Sequence, residues 1–172
     1  RNLEPFDIWY DGFKARTGLN EEELDKLTRE KYPTAKAFEN DIPRILKHLG
    51  WNNNDTEYIA SHIVVEGSRG AGHAWGAQMK DDDAHLRTRV HADGIDYKGY
   101  NIGIHELGHN VEQVITLHFV DHYMLQGVPN TAFTEAVAFM FQHKDLELLG
   151  YKSEQNIEEK KALDALDNCW SS

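Results

Sequence analysis

The sequence predicts a mainly helical domain with one small β element just before its longest helix. Start and stop signals for helices recur along most of the chain, and only one short stretch reads as a strand. The 172 residues, 40% of them hydrophobic, suit a single domain with a sizeable core. No internal repeat or low-complexity segment interrupts the pattern.

The elements follow in order. Asn20 offers a cap and Glu21, Glu22 and Glu23 suit the positive end of a helix dipole, so a helix runs to Tyr32 and stops at Pro33. Thr34 caps the next helix, which ends near Gly50 with Pro43 as a kink or break. Asn52 to Asp55 is a turn cluster, and Asp55 caps a short helix through Ile63. Residues 67–72, rich in glycine, form a loop. Residues 88–92 read as the strand, closed by the turn signal Asp93-Gly94. The longest helix covers 100–126 and ends at Gly127, Val128 and Pro129. Asn130 or Thr131 caps another that reaches Leu149 and is closed by Gly150, and a last helix covers 153–168.

Composition excludes several classes of function. The formal charge of −11 argues against a nucleic-acid partner and against attraction to an anionic membrane face. The single cysteine, Cys169, rules out a disulfide framework and a cysteine-based zinc site. There is no run of about 18 apolar residues, so no membrane insertion is expected. The chain opens at Arg1 with neither methionine nor an apolar targeting segment, and reads as a fragment of a larger protein. Ten histidines are an excess that makes a metal site worth seeking.

The sharp signal is His105-Glu106-Leu107-Gly108-His109. On a helix, positions i and i+4 share a face, so both imidazoles reach one metal ion. Glu106 lies about 100° round the helix, where it can face a metal-bound water. Two imidazoles suit zinc, a borderline-soft ion that takes tetrahedral sites. The bland alternative is a helix with two surface histidines. Catalytic zinc takes three protein ligands and keeps one open position. Glu135, 26 positions after His109, is the expected third ligand. Its helix carries Phe133, Val137, Phe139, Met140 and Phe141, so a carboxylate buried there needs a compensating cation. The competing reading is that Glu135 only favours the helix dipole. A di-iron carboxylate bundle needs two Glu-x-x-His motifs on different helices, and only Glu106-Leu107-Gly108-His109 fits. A non-haem iron site uses the same donor types and stays open. His118 and His122 form another i, i+4 pair, without a following Glu, and read as core-edge or surface residues. His143 lies eight residues beyond Glu135, about two helical turns away.

His105-Glu106-Leu107-Gly108-His109 followed by Phe133-Thr134-Glu135-Ala136-Val137 resembles the gluzincin zinc metallopeptidases. The spacing is closest to the thimet oligopeptidase and oligoendopeptidase F family, and to the related angiotensin-converting-enzyme-like peptidyl-dipeptidases. The thermolysin spacing is shorter. Gly70-Ala71-Gly72-His73-Ala74-Trp75-Gly76 is similar to the family's segment upstream of the motif, and Arg89-Val90-His91-Ala92 to its substrate-holding strand.

The resemblance implies a zincin-like catalytic domain fragment that hydrolyses oligopeptides. In it one zinc ion is held by His105, His109 and Glu135, Glu106 moves the proton, and backbone near His73, Ala74, His91 and Ala92 pairs with an extended peptide. Two departures matter. The family's oxyanion-stabilising tyrosine and histidine lie far downstream of the third ligand, whereas Ser172 follows Glu135 by only 37 residues. Loss of such a donor costs about 10²–10³ in rate. The second expectation is therefore a peptidase-like domain that binds metal or peptide with little turnover, completed by the remainder of its own catalytic domain. Secondly, Phe139 stands four residues after Glu135, where several gluzincins place an aspartate that orients the first histidine. Glu112 or a carbonyl is expected to take that role. A purely structural helical domain without metal is the third reading.

Overall fold

The computed structural model describes residues 21–125 and 131–151, and it is mainly helical with a small sheet. Helix α1, Glu21–Lys31, carries the three acids in its first turn. Its expected cap, Asn20, lies outside the described residues. Thr34 caps α2, Ala35–His48, by accepting from the Ala37 amide at 3.1 Å. Pro43 lies inside α2 without breaking it. An interior proline costs about 3 kcal/mol. Phe38, Ile42, Ile45 and Leu46 are fully buried on that helix, each contributing about 1.5–3 kcal/mol, and they outweigh it. Helix α3, Asn53–Ser61, is capped by Asn52, whose Oδ1 accepts from the Asp55 amide at 2.9 Å. Asp55 is thus inside the first turn rather than at the cap, and Ile63 begins a strand instead of ending the helix.

Among the described residues three strands stand where one was expected. They are β1 (Ile63–Ser68), β2 (His73–Trp75) and β3 (Ala84–Arg89), in the order β1-β3-β2. β1 runs parallel to β3, with Val65 opposite Leu86, and β2 runs antiparallel to it, with Ala74 opposite Leu86. The expected strand 88–92 therefore starts four residues earlier and stops at Arg89. His91 keeps only an isolated bridge to Gly94. The inward residues of β3 are Ala84, Leu86 and Thr88, and a small and a polar member hide the period-2 alternation.

Helix α4 spans Tyr97–Phe119, with Asp96 accepting from the Gly99 amide at 2.7 Å. It starts and ends earlier than the expected 100–126, leaving the helix at Val120, before a 3₁₀ turn at Tyr123–Leu125. The expected stop at 127–129 and the cap at Asn130 lie outside the described residues, as do the helix at 153–168 and Cys169. Tyr97, Tyr100, Ile104, Leu107, Val111 and Val114 form its buried stripe. The single helix expected up to Leu149 is two: α5, Thr131–Gln142, and α6, Asp145–Leu149. α6 begins at Asp145 without a side-chain cap, the Asp145 carboxylate accepting from the Leu146 amide, and Gly150, at φ +87°, ends it.

The core is centred on Tyr32, Phe38 and Tyr100. Tyr32 stacks on Tyr100 at 5.4 Å and meets Phe38 edge-on at 5.2 Å. The Tyr32 hydroxyl donates to Asp41 at 2.6 Å, and burial pushes this phenol far up from its ordinary value. No helix among the described residues is long and apolar enough to cross a membrane.

Burial alone would raise the Asp41 carboxyl. Hydrogen bonds from Arg44 and Tyr32, with the charges of Arg44 and Lys31, hold it below the usual range. A depressed folded value stabilises the fold fully above the ordinary Asp range, and that stability is lost as pH falls through the folded value. Asp41→Asn is expected to cost about 1.5–3 kcal/mol at pH 7 by urea unfolding, with the gap to the native protein narrowing below about pH 4. A gap independent of pH contradicts the assignment.

Candidate metal centre

His105 and His109 lie one turn apart on α4, and Glu135 stands opposite them on α5. The Nε2 of His105 is 3.4 Å from Glu135 Oε2, and that of His109 is 3.5 Å from Oε1. One ligand atom from each residue lies within 4.8 Å of the others, a grouping able to hold a metal ion. Each histidine nitrogen meets a different oxygen of the Glu135 carboxylate, so the carboxylate faces both rings at once. The site joins the three residues that the sequence singled out as ligands.

The burial argument for Glu135 does not hold. Its side chain is 42% exposed, and Phe139 and Met140 on the same helix are exposed too. Geometry places Glu135 instead. A Cβ on Gly108 would lie 2.6 Å from the Ala138 Cα and 3.2 Å from the Val137 carbonyl oxygen. Only glycine lets α5 approach so closely, beside His109 and one turn from Glu135. Glu135, Phe139 and Gln142, at i, i+4 and i+7, then run along His105. Glu135 meets its Nε2, the Phe139 ring meets it edge-on at 5.0 Å, and Gln142 Oε1 lies 3.1 Å from its Nδ1.

Gln142 therefore orients the first histidine, not Glu112. Glu112 accepts from the Thr116 hydroxyl on its own helix at 2.8 Å. Behind Gln142 the bonds continue: its Nε2 donates to Asn101 Oδ1 at 2.7 Å, and Asn101 Nδ2 donates to Asp145 Oδ2 at 2.6 Å. Sequence reasoning passed over Gln142, Asn101 and Asp145. A signal was present, because Tyr97 and Asn101 stand eight and four residues before His105 and so share its face.

Glu106 faces the sheet. A Cβ on Gly72 would lie 2.2 Å from Ile102 Cγ2 and 3.5 Å from Glu106 Cγ, so the chain entering β2 runs against the motif. Asn110 Nδ2 donates to the Trp75 carbonyl at 3.3 Å and ties the other end of β2 to α4. His73 and Ala74 thus lie in the edge strand beside the motif, and no strand pairs with its far side among the described residues. His91 and Ala92 lie beyond the end of β3, where His91 forms an isolated antiparallel bridge to Gly94. His91 contacts Asp96, the α4 cap, at 3.0 Å, about 13 Å of helix rise before His105.

The remaining histidines stand apart from the triad. His118 accepts or donates at Tyr58 Oη, 2.9 Å away, and packs on the His62 ring at 4.5 Å. Burial, with His62 and Lys80 nearby, lowers its pKa. His122 and His143 are exposed, His48 meets Glu147, and His85 meets Glu66. Compared with family models, curated proteins and solved structures, the chain has no match in any of the three.

Gly108→Ala separates two physical effects. Helix propensity alone favours alanine by about 1 kcal/mol. The close approach to Ala138 predicts the reverse: α5 is driven off, and zinc affinity measured by competition with a chelating dye falls at least about tenfold. Unchanged affinity contradicts the role given to this crossing.

Proposed function

We propose that the chain is a zinc-dependent metallopeptidase domain that hydrolyses peptide bonds of oligopeptides. The observation that carries the reading is the convergence of His105, His109 and Glu135 to within 4.8 Å, with Glu106 on the same helix facing the chain that enters an open edge strand. A zinc ion in this site supplies a water acidified toward neutrality and a Lewis acid for the scissile carbonyl. The chain's own residues do the rest. Backbone groups of β2 at His73 and Ala74 align an extended peptide by adding it to the sheet. Glu106 takes the proton of the attacking water and returns it to the leaving amine. Gly72, lacking a side chain, lets the chain entering β2 lie directly against Ile102 and Glu106.

Glu106→Gln is expected to keep zinc while cleavage of a fluorogenic oligopeptide mixture falls by about 10²–10⁴. Glu135→Ala is expected to lose zinc affinity by tenfold or much more, since a ligand matters at least as much as the partners behind it, worth about 10–100-fold. Cleavage that survives Glu106→Gln removes that residue from the mechanism. A native protein that holds zinc and cleaves nothing is the metal- or peptide-binding domain of the second reading.

A further inference from the structure

We infer that a one-way hydrogen-bond relay, Asp145 to Asn101 to Gln142, sets the tautomer of His105 and holds its ring proton on Nδ1. The relay deepens the metallopeptidase reading, but the tautomer itself rests on no metal.

The direction follows from the far end. Asp145 is 6% exposed, and its Oδ2 receives the Tyr97 hydroxyl and Asn101 Nδ2, both at 2.6 Å. Its Oδ1 receives the Leu146 amide, and its carbonyl receives the Tyr100 hydroxyl at 2.8 Å. A carboxylate oxygen ringed by donors only accepts. Asn101 must therefore turn its NH₂ to Asp145 and its oxygen away. That oxygen accepts, so Gln142 must turn its NH₂ to Asn101 and its oxygen to His105. An amide oxygen cannot donate, so the proton of this contact belongs to His105 Nδ1. Flipping Asn101 sets like against like at both of its ends, and flipping Gln142 sets two acceptors face to face at Asn101.

The consequence appears on the other side of the ring. With Nδ1 protonated, the Nε2 lone pair points at Glu135 Oε2, 3.4 Å away. Two acceptors face one another across that gap, an arrangement suited to a cation and to little else. The contacts form a seam that alternates between α4 and its neighbours: His109, Glu135, His105, Gln142, Asn101, Asp145, Tyr97. The members on α4 fall at every fourth residue, so one helix face carries the relay and both histidine ligands.

The test is a two-bond proton–nitrogen correlation spectrum of histidine-labelled, metal-stripped protein at mildly alkaline pH, with His105 assigned from the His105→Ala variant. The native protein is expected to show the Nδ1–H pattern at His105. Gln142→Leu leaves Glu135 as the ring's one acceptor, so the pattern is expected to switch to Nε2–H and zinc affinity to fall about 10–100-fold. Gln142→Glu restores an acceptor at Nδ1 and is expected to restore the Nδ1–H pattern, a rescue that packing alone does not give. An Nε2–H pattern in the native protein overturns the relay, as does an Nδ1–H pattern retained in Gln142→Leu. If Gln142→Leu fails to fold, the native spectrum decides. If the native protein shows Nδ1–H and binds no zinc, the relay stands and the metallopeptidase reading falls.

Discussion

The site depends on how closely α4 and α5 cross. At Gly108 the helices meet backbone to backbone, with no room for a methyl group beside Ala138. That contact sets the distance from which Glu135 reaches His105 and His109, and Gln142 reaches the rear of the His105 ring. The interior supports it from beneath: Leu107 and Ala138 flank the crossing, both fully buried. A carboxylate that is partly exposed is placed by the fit of two helices, not by the cost of burying its charge.

The sheet supplies the other wall. β3 is the central strand, and the Thr88 hydroxyl donates to the Gly99 carbonyl at 2.6 Å, locking the first turn of α4 onto it. β2 then lies along the same helix, past Ile102 and Glu106 at Gly72 and past Asn110 at Trp75. His105, His109, Glu106 and the open strand edge thus lie away from the apolar stripe of α4, which faces the core. The polar seam between α4, α5 and α6 keeps that helix in rotational register, because a shift of one residue would break every bond in it.

Much of this was legible in the chain. The i, i+4 histidines and the intervening glutamate announced themselves by spacing, and the cap at Thr34 is short-range chemistry, whereas the cap at Asp96 was missed and the helix was started three residues late. What escaped was long-range. β1 and β2 are made only by pairing with β3, and His73-Ala74-Trp75 carries no alternation of its own. Gln142 replaces the expected orienting residue from a position seven after Glu135, a substitution visible only once both helices are placed. Pro43 does not break its helix, because the burial of its neighbours outweighs the bond it removes. Glu135 does stand beside the two histidines, but the burial argument that pointed to it is contradicted by its exposure.

The central claim is that one zinc ion belongs between α4 and α5. Elemental analysis of protein purified without added metal, beside its His105→Ala variant, tests it most directly. The account predicts about one zinc per chain in the native protein and loss of that zinc in the variant. A native protein that holds no metal even after zinc is supplied would contradict it and leave the seam as a structural feature of a helical domain.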